Sequence, residues 1–156
     1  MIKFNPPWGG PPIERISPQR AKTLIREEIH KEFRWMASSV GFPGKLRVIL
    51  IPAAPDFLNW GSRVYAGYEP RPPRVWLNIV GEVDMRKIKA GILHGIMHWK
   101  LSNRQILTRE DFLLSEIETY GPEGMKLAQS LEILREYQEL SNEVMPELLE
   151  ELARLR

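Results

Sequence analysis

The sequence predicts an α+β fold: one amphipathic helix, a small three-stranded sheet, and then a succession of helices. Three observations carry this. Apolar residues recur at helical spacing over 18–39, short β-branched runs follow at 45–51, 64–68 and 74–80, and helical patterns rich in Leu and Glu return after Asp84. At 156 residues the chain is near the usual size of one domain. No internal repeat or long linker divides it, so residues 1–156 are expected to form a single unit.

Residues 1–16 are rich in Pro and Gly and read as an extended arm. Ser17-Pro18 reads as an N-cap followed by proline at the first helical position. Ala21, Leu24, Ile25, Ile29, Phe33, Met36 and Val40 then mark the buried stripe of a helix closed by Gly41. Lys45–Ile51, Val64–Tyr68 and Arg74–Val80 are the expected strands, in an antiparallel meander or a mixed sheet. Asp84 is a plausible N-cap for a helix reaching Leu101. Thr108 and Asp111 resemble a capping box and open a helix to Tyr120, which Gly121-Pro122 ends. A C-terminal extension, 123–156, reads as two helices over 123–140 and 146–155.

The totals exclude several classes of protein. Hydrophobic residues make up 43% and charged residues 27%, ordinary for a folded soluble chain. No apolar run is long enough to span a membrane. The N-terminus lacks the apolar core of a signal peptide, and without cysteine there is no disulfide framework or thiolate metal site. A cytoplasmic location is the expectation, and the composition is suggestive of a thermophilic source. The net charge of +2 conceals an asymmetry: residues 1–105 carry 17 Lys/Arg and 8 Asp/Glu, residues 106–156 carry 5 and 12. The basic residues are spread singly, without a Lys/Arg block or an interleaved aromatic platform, so nucleic acid is not the expected partner.

Chemistry concentrates in Ile92-Leu-His-Gly-Ile-Met-His-Trp99, which holds two of the three histidines in the chain. Residues four apart on a helix share one face, so His94 and His98 can bind one metal ion. On a helical wheel with His94 at zero, His98 falls at about 40°, Gly91 at about 60° and Ala90 at about −40°. Ile88, Ile92, Ile96 and Trp99 fall at about 120–200°. The histidines therefore sit on a face bordered by small residues, opposite the core stripe. Two packed core histidines are the blander alternative, because a bare HxxxH is a weak pattern. On the next helix Glu116 lies at the edge of the apolar face and Glu118 points away from it. Zinc is one partner for such a carboxylate and a surface arginine is another.

His94-Gly-Ile-Met-His98 resembles the HExxH motif of the zincin metallopeptidases. Glu116-Ile-Glu-Thr-Tyr120 resembles the ExxxD or E-x-E-A stretch of the gluzincin branch. The resemblance spans about residues 18–120 and implies a zincin-like fold, a zinc cofactor and His94, His98 and Glu116 as ligands, with Glu118 the other candidate for the third. It also implies that Arg74–Val80 is an edge strand on the rim of a cleft, where Trp76 and Asn78 would meet an extended peptide or protein substrate.

Two departures bear on activity. The glutamate that would act as general base is replaced by Gly95, so the resemblance implies a peptidase fold that is inactive or inactivated. Glycine in a helix costs ~1 kcal/mol relative to alanine. It stands at 95 through close backbone packing, through loss of a glutamate, or by deliberate substitution. Tyr120 stands where Asp or Asn often supplies a ligand's hydrogen-bond partner. The alternative is a metal-free scaffold or protein-interaction module that retains the fold.

Overall fold

The computed structural model describes residues 16–51, 63–81, 84–101 and 106–156. The arm expected at 1–16 lies outside them, apart from Ile16. Five helices and one three-stranded mixed sheet make up the described chain, in the order α1 (Pro18–Val40), β1 (Lys45–Ile51), β2 (Arg63–Pro70), β3 (Pro73–Val80), α2 (Met85–Leu101), α3 (Arg109–Thr119), α4 (Pro122–Ser130) and α5 (Leu134–Leu155). Among the described residues, no helix is long and apolar enough to cross a membrane.

Local chemistry sets most of the boundaries. The Ser17 hydroxyl accepts the Arg20 N–H at 3.2 Å and starts α1. At its other end Gly41 adopts φ 77°, which turns the chain so that the Phe42 N–H reaches the Ala37 carbonyl at 2.9 Å. The Asp84 carboxylate caps α2 by accepting the Arg86 N–H at 3.0 Å. At the start of α3, Thr108 and Asp111 bond each other's backbone reciprocally at 3.0 and 3.1 Å.

The sheet order is β1-β3-β2, with β1 parallel and β2 antiparallel to β3. This corrects the expected position of Arg74–Val80. Trp76 pairs with Arg47 on one side and Gly67 on the other, and Asn78 with Ile49 and Tyr65. The strand is central, and its backbone donors and acceptors are consumed by two neighbours. Trp76 and Asn78 therefore cannot form a pairing edge for a substrate. The parallel β1–β3 pairing takes that place, because the later β2–β3 hairpin docks against β1 through β3, which so comes to lie between the two earlier strands.

One face of the sheet carries Leu46, Val75, Leu77 and Ile79 into the core, where they meet Ile29, Phe33 and Met36 of α1 and Ile88, Ile92 and Ile96 of α2. Helix α2 is the centre of the molecule: every residue from Ala90 to His98 is buried.

The C-terminal helices break where the sequence did not suggest. Residues 123–140 and 146–155 were the expected spans, but the interruption falls at 131–133 and α5 runs through Pro146. Glu132 takes φ 61° there, and its N–H and that of Ile133 bond the carbonyls of Gln129 and Ala128. This is the same helix stop as at Gly41, built on a residue that does not announce it. Pro146 and Asn142, whose carbonyl loses its helical donor, are both exposed, so water is available to that carbonyl.

Candidate metal centre

Helices α2 and α3 meet at a group of five polar side chains. His94 and His98 come from α2, one turn apart, and are 3% and 5% exposed. Ser115, Glu116 and Thr119 come from α3. The Glu116 carboxylate spans both imidazoles: Oε2 lies 3.1 Å from His94 Nε2, and Oε1 lies 2.8 Å from His98 Nε2. Ligand atoms of the three residues all fall within 4.8 Å of one another, a group that could hold a metal ion.

The far nitrogens of both rings are also engaged. Thr119 Oγ1 is 3.0 Å from His94 Nδ1 and 2.6 Å from the Glu116 carbonyl. A threonine hydroxyl has one proton, and the carbonyl can only accept. The hydroxyl therefore donates to the carbonyl and accepts from His94 Nδ1–H. That assignment leaves His94 Nε2 with a bare lone pair directed at the carboxylate. Ser115 Oγ stands 3.2 Å from His98 Nδ1 and is able to fix the second ring in the same way. The Thr119 carbonyl in turn accepts from the buried Tyr137 hydroxyl of α5.

Electrostatics follow from this arrangement. Burial lowers the His94 pKa, outweighing the attraction of Glu116, and favours the neutral ring. Burial alone would raise the Glu116 carboxyl, but the two imidazoles hold it well below the usual carboxylate range. The bare His94 lone pair and the Glu116 anion thus meet at one point, with His98 Nε2 beside them. Something positive must stand between them, either a proton on each near nitrogen or a metal cation. Two ligands ~2.0 Å from a tetrahedral ion are ~3.3 Å apart, so the two His–Glu spacings need a few tenths of an ångström of opening, whereas ligand atoms up to 4.8 Å apart must draw closer.

His94, His98 and Glu116 are thus brought together as the sequence suggested. Glu118 lies outside the group of possible ligands. Tyr120 stacks on His94 with ring centroids 5.0 Å apart and planes 20° from parallel. The hydrogen-bonding role expected at position 120 falls to Thr119. Neither Ser115 nor Thr119 was singled out from the sequence. Their signal is positional: hydroxyl residues one before and three after Glu116 on the same helical face.

Gly95 does not face this group. A Cβ built there would stand 2.6 Å from Val75 Cγ1 and 3.2 Å from the Gly67 carbonyl oxygen. Of the origins open for this glycine, close backbone packing has a physical cause in the structure. Gly91, one turn earlier, meets Val64 and Leu77 in the same way. Position 95 has no space for a general base beside the histidines.

No protein-family model, curated protein or solved structure matches this chain.

Proposed function

We propose that this protein binds a zinc-class divalent ion through His94, His98 and Glu116, in a zincin-like arrangement that clasps α2 to α3 and does not hydrolyse peptides. The observation that carries the reading is the convergence of both Nε2 atoms on one carboxylate, 2.8 and 3.1 Å away, with their Nδ1 atoms beside hydroxyls.

In this reading α2 presents two ligands one turn apart, and α3 supplies the third ligand together with the hydroxyls that set ring orientation and tautomer. When bound, the ion supplies positive charge and Lewis acidity. Hydrolysis also needs a base for the attacking water, and the space beside Gly95 is filled by Val75. A peptide aligned by strand pairing needs a free edge. The interior position of β3 denies it one there, leaving the outer edges of β1 and β2.

A second reading, a metal-free scaffold with the same fold, is favoured by one measurement. The separations of 2.8 and 3.1 Å are ordinary hydrogen-bond lengths, suited to protons as the bridging charge. Elemental analysis and thermal unfolding with and without chelator separate the two. Metal binding predicts about one zinc per chain, lost in His94→Ala, and a Tm lowered by about 10 °C on chelation. Absence of zinc, with an unchanged Tm, overturns the metal reading and leaves the scaffold.

A further inference from the structure

The face of the sheet turned away from α1 and α2 carries a group of residues that the linear order separates widely. Register places Lys45, Arg74 and Glu69 in one row across the three strands, Arg47, Trp76 and Gly67 in the next, and Ile49, Asn78 and Tyr65 in the third. A Cβ on Gly67 would fall 2.2 Å from Cζ2 and 2.5 Å from Nε1 of Trp76. The indole therefore lies across the β2 backbone, in space that only a glycine leaves open. Tyr65, two residues along β2 on the same face, is 51% exposed. Trp76 and Tyr65 are diagonal neighbours, ~7–8 Å apart at this register.

The charges beside these rings are cationic. Lys45 and Arg47 are exposed on β1, ~6.6 Å apart along the strand. Among the described residues neither has an ion-pair partner. Glu69 brings a negative charge to the far edge of the same face, where it pairs with Arg74 at 3.8 Å. A half-buried indole and an exposed phenol, beside cations that have no ion-pair partner among the described residues, are elements by which proteins hold single-stranded nucleic acid. The rings stack bases and the cations meet phosphates.

We propose that this outer sheet face binds a single-stranded nucleic acid, with Trp76 and Tyr65 as stacking platforms and Lys45 and Arg47 on the phosphates. An apolar partner alone would leave the two cations unpaired, whereas a polyanion with stackable bases matches both features. The site is on the opposite side of the sheet from α2 and does not depend on the metal reading.

Fluorescence anisotropy of the full chain with labelled oligonucleotides about 10 nucleotides long, oligo(U) and oligo(dT) beside a duplex, tests this. Single strands should bind better than duplex. Raising salt from about 50 to about 200 mM should weaken binding roughly 5- to 20-fold, as expected for two or three phosphate contacts. Trp76→Ala should weaken it roughly 10- to 100-fold. The double variant Lys45→Glu/Arg47→Glu, at exposed positions, should abolish it with the circular-dichroism spectrum intact, which guards against misfolding of the tryptophan variant. Binding of either single strand supports the proposal, and the tighter one names the polymer. Tighter duplex binding, binding indifferent to these substitutions, or no binding overturns it. A dimer that Trp76→Ala dissociates in sedimentation, without oligonucleotide binding, overturns it in favour of a second copy on this face.

Discussion

Helix α2 meets its neighbours in two opposite ways. Toward the sheet it is nearly featureless: Gly91 and Gly95 let the backbone approach until added Cβ atoms would stand 2.9 Å from Val64 and 2.6 Å from Val75. Toward α3 it presents His94 and His98, whose four ring nitrogens all lie within 3.2 Å of an α3 side chain. The first contact is made by omitting side chains and costs helix propensity, ~1 kcal/mol for each glycine. The second is made by burying polar groups and costs desolvation, offset only while each group keeps its partner. The difference teaches that position 95 belongs to the packing face. A substitution there tests volume, whereas one on the α3 side tests complementarity.

The largest effect is expected from breaking the packing side. Gly95→Glu should destabilise the protein by more than about 3 kcal/mol, because it forces volume against Val75 and buries a carboxylate. Gly95→Ala should still cost about 1–3 kcal/mol through overpacking, although alanine is the better helix former. Chemical denaturation measures both. A Gly95→Glu protein as stable as the parent, and able to cleave an unstructured polypeptide, would return position 95 to the catalytic side.

The polar side is sharpened by Thr119→Val, which keeps the shape and removes the acceptor of His94 Nδ1–H. Leaving that donor buried and unpaired should cost about 1–3 kcal/mol. Zinc affinity should fall about 10- to 100-fold. Equilibrium dialysis with zinc reads the second number. An unaltered affinity would remove Thr119 from the positioning of the ring.

The smallest effect belongs to a polar contact at the exposed start of α2. Arg86 Nε lies 2.5 Å from Glu136 Oε1, and its other branch donates to the Glu132 carbonyl at 3.1 Å. Burial pushes the Glu136 carboxyl up, but the guanidinium outweighs it and holds it below its ordinary value. A depressed carboxyl contributes stability above its unfolded pKa and loses it as pH falls through the folded one. Arg86→Ala should therefore cost about 1–2 kcal/mol at neutral pH. The gap to the parent should narrow below about pH 4.5, where the carboxyl of the unfolded chain takes up its proton. Denaturation of both proteins at neutral and acidic pH checks this, and a gap that does not change with pH would contradict the assignment.

How much was legible depended on how local each cause is. Two helix stops use the same hydrogen-bond pattern, at Gly41 with φ 77° and at Glu132 with φ 61°. The first was readable because glycine tolerates positive φ. The second was not, because glutamate gives no such signal and is held there by the burial of Ala128 and Ile133 around it. Pro146 failed as a marker for the opposite reason, being tolerated on an exposed helix surface. His94, His98 and Glu116 were legible through helical spacing and through the resemblance of their motifs. Ser115 and Thr119 were not, since a hydroxyl residue in a helix has no distinctive use until another helix brings it a partner.

By itself the sequence determined the elements from α1 to α3 and their caps, the α+β class, and the pairing of two histidines on one face of α2, all consequences of forces acting within a few residues. Only the tertiary structure decided that β3 lies inside the sheet, that Gly95 is pressed against Val75, and that Trp76, Tyr65, Lys45 and Arg47 share one face. Each of those depends on which distant strand or helix arrives at a given edge. Backbone hydrogen bonding and close packing settle that choice for the whole chain at once, beyond the reach of any local pattern.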